Sequence, residues 1–168
     1  MAGESKTNLR EQLECTLRGR VCLMGVGNAD YGDDALGVYL AEALVEAGVP
    51  DVIVAGNSPE RYLGRVADMR PEHVLFLDAV EFGAAPGAVV FLNSQQLTAR
   101  YPQISTHKIS LSTLATFVEA NGVTRAWLLG VQPESLKEGQ SLTSPVRKTL
   151  DALLRLLLRA KRQEMSLC

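Results

Sequence analysis

Asp34, Asp78 and His107 are the residues of this sequence best suited to chemistry. Together they offer two hard oxygen ligands and one imidazole nitrogen, a set that suits nickel, zinc, manganese or ferrous iron and leaves coordination positions open. A carboxylate in the same place could instead activate water as a general base. The sequence leaves both chemistries open, and Asp34 and Asp78 could take part in either.

Each of these residues also has a purely structural interpretation. Asp33 and Asp34 stand at the expected start of a helix, where one carboxylate caps free amides and contributes ~0.3–1 kcal/mol. One aspartate is enough for that role, so we expect the second to point across the edge of the sheet. Asp78 could cap the turn at the end of a strand, and His107 could be a solvated or structural loop residue.

Other common catalytic motifs are absent from the sequence or incomplete. The glycine-rich turn at residues 25–28 lacks the third glycine of a dinucleotide fingerprint, since that position is Asp30. The chain contains no Gly-Lys-Ser/Thr phosphate loop and no Gly-x-Ser-x-Gly elbow. Cys22 falls inside an expected strand, and Cys15 and Cys168 fall in terminal segments. Neither a thiolate metal site nor a cysteine nucleophile is therefore predicted.

Short apolar strands alternate with amphipathic helices along the chain. We expect strands at residues 21–24, 52–54, 74–77, 88–92 and 126–131. This alternation predicts a single three-layer α/β/α domain, with a five-stranded, mostly parallel twisted sheet and helices on both faces. Strand 88–92 follows strand 74–77 through a loop too short for a crossover helix, so we expect these two strands to form an antiparallel pair. Residues 93–109 are expected to be irregular.

The predicted sheet explains how distant residues could meet, because sites in such sheets lie at the carboxyl ends of the strands. Asp34 follows the turn after the first strand and Asp78 directly follows the third, so the two carboxylates should converge. His107 lies in a loop that could return to the same edge. His73 precedes the third strand, and five residues at ~3.3 Å each place it about 16 Å from Asp78, at the opposite edge. We expect His73 to be a surface residue.

Length and composition favour one globular domain that binds neither nucleic acid nor membranes. The chain has 168 residues, 46% of them hydrophobic and 21% charged, with a formal net charge of -2. We expect residues 1–19 to form an arm or loose helix, residues 20–162 the domain and residues 163–168 a tail. The sequence shows no signal peptide and no stretch that would span a bilayer. Its three cysteines are odd in number and mostly far apart in the chain, which favours a reducing compartment, so a cytoplasmic location is predicted.

Four motifs occur in order along the chain: Gly25-Val26-Gly27-Asn28 with Gly32-Asp33-Asp34, Leu77-Asp78-Ala79, Thr106-His107, and Gly130-Val131-Gln132-Pro133. At these motifs the chain resembles the hydrogenase maturation endopeptidases, and is most similar to the formate hydrogenlyase type. Members of that family trim the C-terminal extension from the large subunit of nickel-iron hydrogenases. The resemblance covers nearly the whole of the expected domain.

The resemblance implies a function and assigns roles to named residues. Asp34, Asp78 and His107 would contact nickel, which arrives with the substrate and is not expected to be bound tightly by the free protein. Asp34 and Asp78 would be the catalytic residues of an aspartic or metal-dependent peptide hydrolase. The implied partner is a nickel-loaded hydrogenase large-subunit precursor, with no nucleic acid, no membrane and no obligate second partner.

Two positions depart from the pattern of that family. The turn after the second strand reads Ala55-Gly56-Asn57, where relatives often have an aspartate and paired glycines. Ala35 stands where a glycine often follows the second acid, a change that a helical position tolerates. The alternative interpretation is a non-catalytic protein, either a nickel-sensing maturation chaperone or an α/β module that binds a small ligand.

Overall fold

The computed structural model describes residues 8–100 and 109–166. The strands are β1 (Val21–Val26), β2 (Val52–Gly56), β3 (His73–Ala79), β4 (Val89–Asn93) and β5 (Arg125–Val131). The helices are α1 (Leu9–Thr16), α2 (Leu36–Glu46), α3 (Leu63–Met69), α4 (Ser94–Arg100), α5 (Leu111–Glu119) and α6 (Ser144–Ser166). Short 3-10 turns, Gly32–Ala35 and Pro59–Tyr62, lead into α2 and α3.

The strands form one sheet in the order β2-β1-β3-β5-β4. All neighbouring pairs are parallel except β4 and β5, which run antiparallel. Alternate strand residues face two separate apolar cores, as the two-residue period of a strand requires. Helices α1, α2 and α6 cover one core, and α3, α4 and α5 cover the other. The predicted three-layer α/β/α architecture is confirmed.

The partner of β4 differs from the prediction. The sequence predicted an antiparallel pair between β3 and β4, which is wrong, because β4 bonds to β5 at the edge of the sheet. Both sides of β3 are already occupied by β1 and β5. The connection at residues 80–88 therefore crosses the carboxyl end of β5, where Val80 donates to the Val131 carbonyl and Gly87 to the Gln132 carbonyl.

Part of the stretch that was expected to be irregular, residues 93–109, is the helix α4. Asn93 and Gln96 bond reciprocally at its start: the Gln96 amide donates to Asn93 Oδ1 (2.8 Å), and the Asn93 amide donates to Gln96 Oε1 (2.9 Å). This pairing is a capping box, which satisfies amides that a helix N-terminus leaves open. Leu97 is buried in the core beneath α4.

The first helix and the last helix pack on each other. Leu13 and Leu17 are buried in the same core as Leu157 of α6. Lys161 donates from Nζ to the Leu17 carbonyl at 3.2 Å, so its charged end meets the last turn of α1. Within residues 8–100 and 109–166, no helix has the length and apolar character needed to cross a bilayer.

Candidate functional site

The segments that carry Asp34 and Asp78 meet at the turn after β1. Gly27 has φ +141°, a conformation that L side chains rarely adopt. A Cβ built at Gly27 would overlap the backbone oxygen of Asp34 and would lie 3.8 Å from Asp78 Oδ1. One backbone position therefore touches both segments. The backbone of Asp34 and the carboxylate of Asp78 thus both lie beside the turn at the carboxyl end of β1.

Asp34 faces a cleft at this edge and is 7% exposed. The Asn28 amide donates to Asp34 Oδ2 at 2.9 Å, which orients the carboxylate. The residues lining the cleft, which has a volume of about 320 Å³, are Asn28, Tyr31, Asp34, Asn57 and Leu136. Asp34 thus lines a cleft at the predicted edge of the sheet, and its role in catalysis stays a prediction.

Asp78 lies deeper than Asp34, at 1% exposure. The sequence placed it directly after the third strand, but β3 continues through Ala79, and Asp78 is paired in register with Gly130 of β5. Moving a carboxylate out of water is costly in free energy, so a deeply buried aspartate at the end of a strand is a candidate for a functional role.

His107, the third predicted site residue, lies outside the described residues, and so does Thr106. From Ile109 the chain enters α5, with Ser110 as the N-cap of that helix. Helix α5 ends at Glu119, which accepts a hydrogen bond from the Ala126 amide at the start of β5. The N-terminus of α5 therefore lies toward the carboxyl edge. The position of His107 relative to the two aspartates stays a prediction.

Asp33 has a different role from the helix cap that the sequence suggested. The N-caps of the 3-10 turn and of α2 make no side-chain capping hydrogen bond. The fully buried Asp33 carboxylate instead accepts from the Thr143 amide (2.7 Å), the Thr143 hydroxyl (2.8 Å), the Glu134 amide (2.9 Å) and the Ser135 amide (3.1 Å). Burial acts to raise the pKa of Asp33, but the hydrogen bonds from Thr143, Ser135 and Glu134 hold that pKa below its ordinary value.

Gln132, in the last of the four motifs, holds the connection at residues 80–88. Its side chain is nearly buried. Gln132 Oε1 accepts from the amides of Phe82 (2.8 Å) and Ala84 (3.3 Å), and Nε2 donates to Glu81 Oε2 (2.6 Å). This motif contributed to the family resemblance, but no role was predicted for Gln132. Its partners lie about 50 positions away in the chain, which leaves no local signal.

His73 lies at the amino edge of the sheet, as predicted, but it is not a plain surface residue. It begins β3 and is half-buried, and its Nδ1 accepts a hydrogen bond from Trp127 Nε1 at 3.0 Å. Burial, and to a lesser degree the nearby Arg125, lower the pKa of His73, while Glu72 acts in the opposite direction. His73 and Asp78 stand five residues apart in the same strand, so His73 takes no part in the site.

The cysteines of the described segments do not join the site. Cys22 is fully buried inside β1, and burial, with a contribution from Asp51, raises the pKa of its thiol to about 12. A thiol with that pKa is protonated at neutral pH and is a poor nucleophile. Cys15 is exposed on α1.

The two aspartates alone do not complete a metal site. Within residues 8–100 and 109–166, no cluster of three or more histidine, cysteine, aspartate or glutamate side chains is arranged to hold a metal ion. Asp34 and Asp78 could supply two carboxylate ligands to a hard or borderline divalent ion. Further ligands would have to come from His107 or from a bound partner.

Known proteins similar to this chain come from one family. A family model described as HycI, hydrogenase maturation protease, matches residues 36–160. The hydrogenase 2 maturation protease of Escherichia coli K12 is 30% identical over 152 residues, which span 86% of this chain and 92% of that protein. The hydrogenase 3 maturation protease of the same strain is 27% identical over 133 residues, spanning 78% of this chain and 84% of that protein.

Solved structures show the same similarity. The crystal structure of the NiFe hydrogenase maturation protease HycI from Thermococcus kodakarensis superposes with a TM-score of 0.78 at 30% identity, covering 89% of this chain and 97% of that one. The hydrogenase maturating endopeptidase HybD from E. coli gives a TM-score of 0.68 at 28% identity, covering 86% and 93%.

Proposed function

Because this chain belongs to the hydrogenase maturation protease family and is a peptide hydrolase, we propose that it removes the C-terminal extension of a nickel-iron hydrogenase large-subunit precursor. The observation that carries this proposal is the meeting of Asp34 and Asp78 around Gly27, beside an open cleft. Asp34 lines this cleft and Asp78 lies buried behind the same turn. Two neighbouring carboxyl groups can supply what amide hydrolysis requires, a proton acceptor for water and a proton donor for the leaving amine.

We further propose that Asp34, Asp78 and His107 contact nickel that the precursor carries. The ion belongs to the substrate, and the free protein does not hold it tightly. The Asp34 backbone and the Asp78 carboxylate both lie against Gly27, which supports the proposal that the two carboxylates approach a single ion. His107, whose position stays a prediction, would add the imidazole ligand. This arrangement lets the protease distinguish a metal-loaded precursor from an empty one.

Two chemistries at this site can promote the attack of water on the scissile peptide bond. A carboxylate can accept its proton as a general base, or the nickel ion can polarise the scissile carbonyl as a Lewis acid. Replacing nickel in the precursor by zinc separates the two. If the ion polarises the carbonyl, the cleavage rate follows the identity of the metal. If a carboxylate is the base, precursors that bind equally well are cut at similar rates.

The main experiment measures cleavage directly. Purified protein is incubated with nickel-loaded precursor, with metal-free precursor and with casein, and the C-terminus of each is determined by mass spectrometry. We expect cleavage of the nickel-loaded precursor alone, because recognition requires both the metal and the docked precursor. Equal cleavage of the metal-free precursor would contradict nickel recognition and would point to direct peptide recognition.

Family membership favours catalysis over the alternative of a non-catalytic nickel-sensing chaperone. The same experiment separates the two, since a chaperone would bind the loaded precursor without changing its mass. We propose that the reaction takes place in the cytoplasm, because three cysteines that do not form an evenly paired set favour a reducing compartment. The precursor is the one partner that we propose, and the near-balanced charge gives no support for binding nucleic acid.

A further inference from the structure

Residues 133–143, here called the cleft segment, join β5 to α6 and cross the carboxyl edge of the sheet. The cleft segment contains no regular helix or strand. It nevertheless contributes Leu136 to the lining of the cleft beside Asp34. A loop without internal secondary structure needs contacts from elsewhere to hold one position, because its backbone groups have no ladder or helix partners of their own.

Those contacts come from Asp33. Both oxygens of its carboxylate accept hydrogen bonds from the cleft segment: Oδ1 from the Thr143 amide, and Oδ2 from the Glu134 amide, the Ser135 amide and the Thr143 hydroxyl. Glu134 and Ser135 lie at one end of the segment and Thr143 at the other. One buried side chain therefore fastens both ends.

The backbone around Asp33 packs against the same segment. The Asp33 amide donates to the Ser135 carbonyl at 2.9 Å, and the Gly139 amide donates to the Asp30 carbonyl at 2.8 Å. Gly32 has φ +54°, and a Cβ there would lie 2.6 Å from the Ser135 oxygen. The cleft segment thus packs so closely against the chain before α2 that position 32 has no space for a side chain larger than that of glycine.

The chemistry of these contacts requires an ionised carboxylate. A carboxylate accepts at both oxygens, whereas an amide accepts at one atom and donates at the other. At the amino edge of the sheet, the turn at residues 121–124 is held by a neutral amide, since Asn121 Oδ1 accepts from the amides of Val123 and Thr124. An asparagine in place of Asp33 would turn a donor toward at least one donor of the cleft segment.

We propose that Asp33 is a positioning residue, which holds the cleft segment as a wall that contacts the precursor polypeptide through Leu136. This inference rests on the proposed function. The Asp34 carboxylate accepts from the Asn28 amide, which lies outside the cleft segment. Loosening the cleft segment should therefore weaken substrate binding more than it slows the chemical step. Leu136 and Tyr31 supply apolar surface to a cleft whose other walls are polar, which suits an apolar side chain of the bound peptide.

The test compares the steady-state constants of four variants acting on nickel-loaded precursor. Asp33→Asn and Leu136→Ser should each raise KM about ten-fold or more, with kcat within about three-fold of wild type. Thr143→Val removes one hydroxyl hydrogen bond from the anchor and should raise KM by a smaller factor. Thr124→Val is the matched control, because it loses a buried hydroxyl contact with the Pro71 carbonyl (2.7 Å) at the opposite edge, and its KM should not change.

Hydrogen exchange gives a readout that does not depend on activity. In Asp33→Asn, the amides of Glu134, Ser135 and Thr143 should exchange faster than in wild type, and in Thr124→Val they should not. Unchanged exchange or an unchanged KM in folded Asp33→Asn would overturn the proposal. A fall in kcat at constant KM would also overturn it, since Asp33 would then act through Asp34.

Two further outcomes are distinguishable from these. If Asp33→Asn does not fold, the proposal is tested by comparing KM for the nickel-loaded precursor between Thr143→Val and Thr124→Val. Equal KM values for these two variants would overturn the proposal. If the wild-type protein does not cut any loaded precursor, the proposed function fails. The exchange rates of the cleft segment then judge the anchoring role of Asp33 on their own.

Discussion

Gly37, in the first turn of α2, lies so close to β3 that a Cβ at this position would overlap the carbonyl oxygen of Leu77. The same Cβ would also overlap the carbonyl oxygen of Val26 at the end of β1. The start of α2 is therefore seated directly on the carboxyl ends of two neighbouring strands. Asp34 comes three residues before Gly37 and Asp78 immediately follows Leu77, so this close approach sets the distance between the two site segments.

Replacing Gly37 by alanine should destabilise the fold and reduce precursor cleavage. The added methyl group meets backbone atoms that cannot rotate away, so we expect a loss of about 1–3 kcal/mol or more in the free energy of unfolding. Gly64→Ala in α3 is the matched control, since nothing lies within 4 Å of a Cβ there. That change should be neutral or stabilise by up to about 1 kcal/mol. Urea denaturation measures both, and a neutral Gly37→Ala would contradict the close approach.

Asp34→Asn and Asp78→Asn should each lower the rate of precursor cleavage by about 10²-fold or more, the usual contribution of a group that transfers a proton in catalysis. Both variants keep the size of the side chain and remove its charge. Mass spectrometry of the precursor C-terminus gives the rate, and the melting temperature shows whether each variant is folded. Full activity in either folded variant would remove that aspartate from the site.

His107→Ala and His107→Gln should abolish cleavage while the protein remains folded. We predict that His107 lies in a loop at an open site, where a side chain adds little to core burial, so we expect a change within about 0.5 kcal/mol in the free energy of unfolding. His73→Ala is the control: it should retain activity, although it loses the hydrogen bond from Trp127 and should melt at a lower temperature. Cleavage by His107→Ala, or loss of cleavage in folded His73→Ala, would show that the site is misplaced.

His73 should make the stability of the protein depend on pH. Its pKa is lowered from the ordinary value of 6.5 in the folded chain, so the unfolded chain binds the proton more readily. The contribution of His73 to stability is therefore complete above pH 6.5 and declines as the pH falls from there through the lowered pKa. Unfolding free energies of wild type and His73→Gln, measured between pH 8 and pH 5, should diverge in this way. Parallel curves would contradict the lowered pKa.

The free protein should contain far less than one metal ion per chain after purification. The three proposed ligands, Asp34, Asp78 and His107, would be too few to close a four-ligand shell, so we expect an ion at this site to exchange readily. Added nickel should occupy the site at high concentration, and Asp78→Asn should weaken this binding by removing a charged ligand. Elemental analysis and calorimetry measure these quantities. A zinc ion that survives chelation would instead indicate a resident catalytic metal.

The architecture, and the sheet edge at which Asp34 and Asp78 lie, could be predicted from local patterns in the chain. The hydrophobic period of a strand or helix is a local property of its side chains, so the architecture follows from it. Parallel strands place their carboxyl ends at one edge, so the position of the two aspartates follows from the architecture. The start of α4 also carries a local signal, because Asn93 and Gln96 have the spacing of a capping box. The prediction that residues 93–109 are irregular did not use this signal. The position of His107 stays a prediction.

The partners that these elements take depend on tertiary contacts and could not be predicted from local patterns in the chain. Asp33 bonds to residues 101 to 110 positions away, and His73 accepts from Trp127, 54 positions away. Strand β4 pairs with β5 because β3 already has a neighbour on each side. Such contacts depend on how whole elements pack, and a hydrogen bond between distant residues leaves no periodic pattern in the chain around either of them.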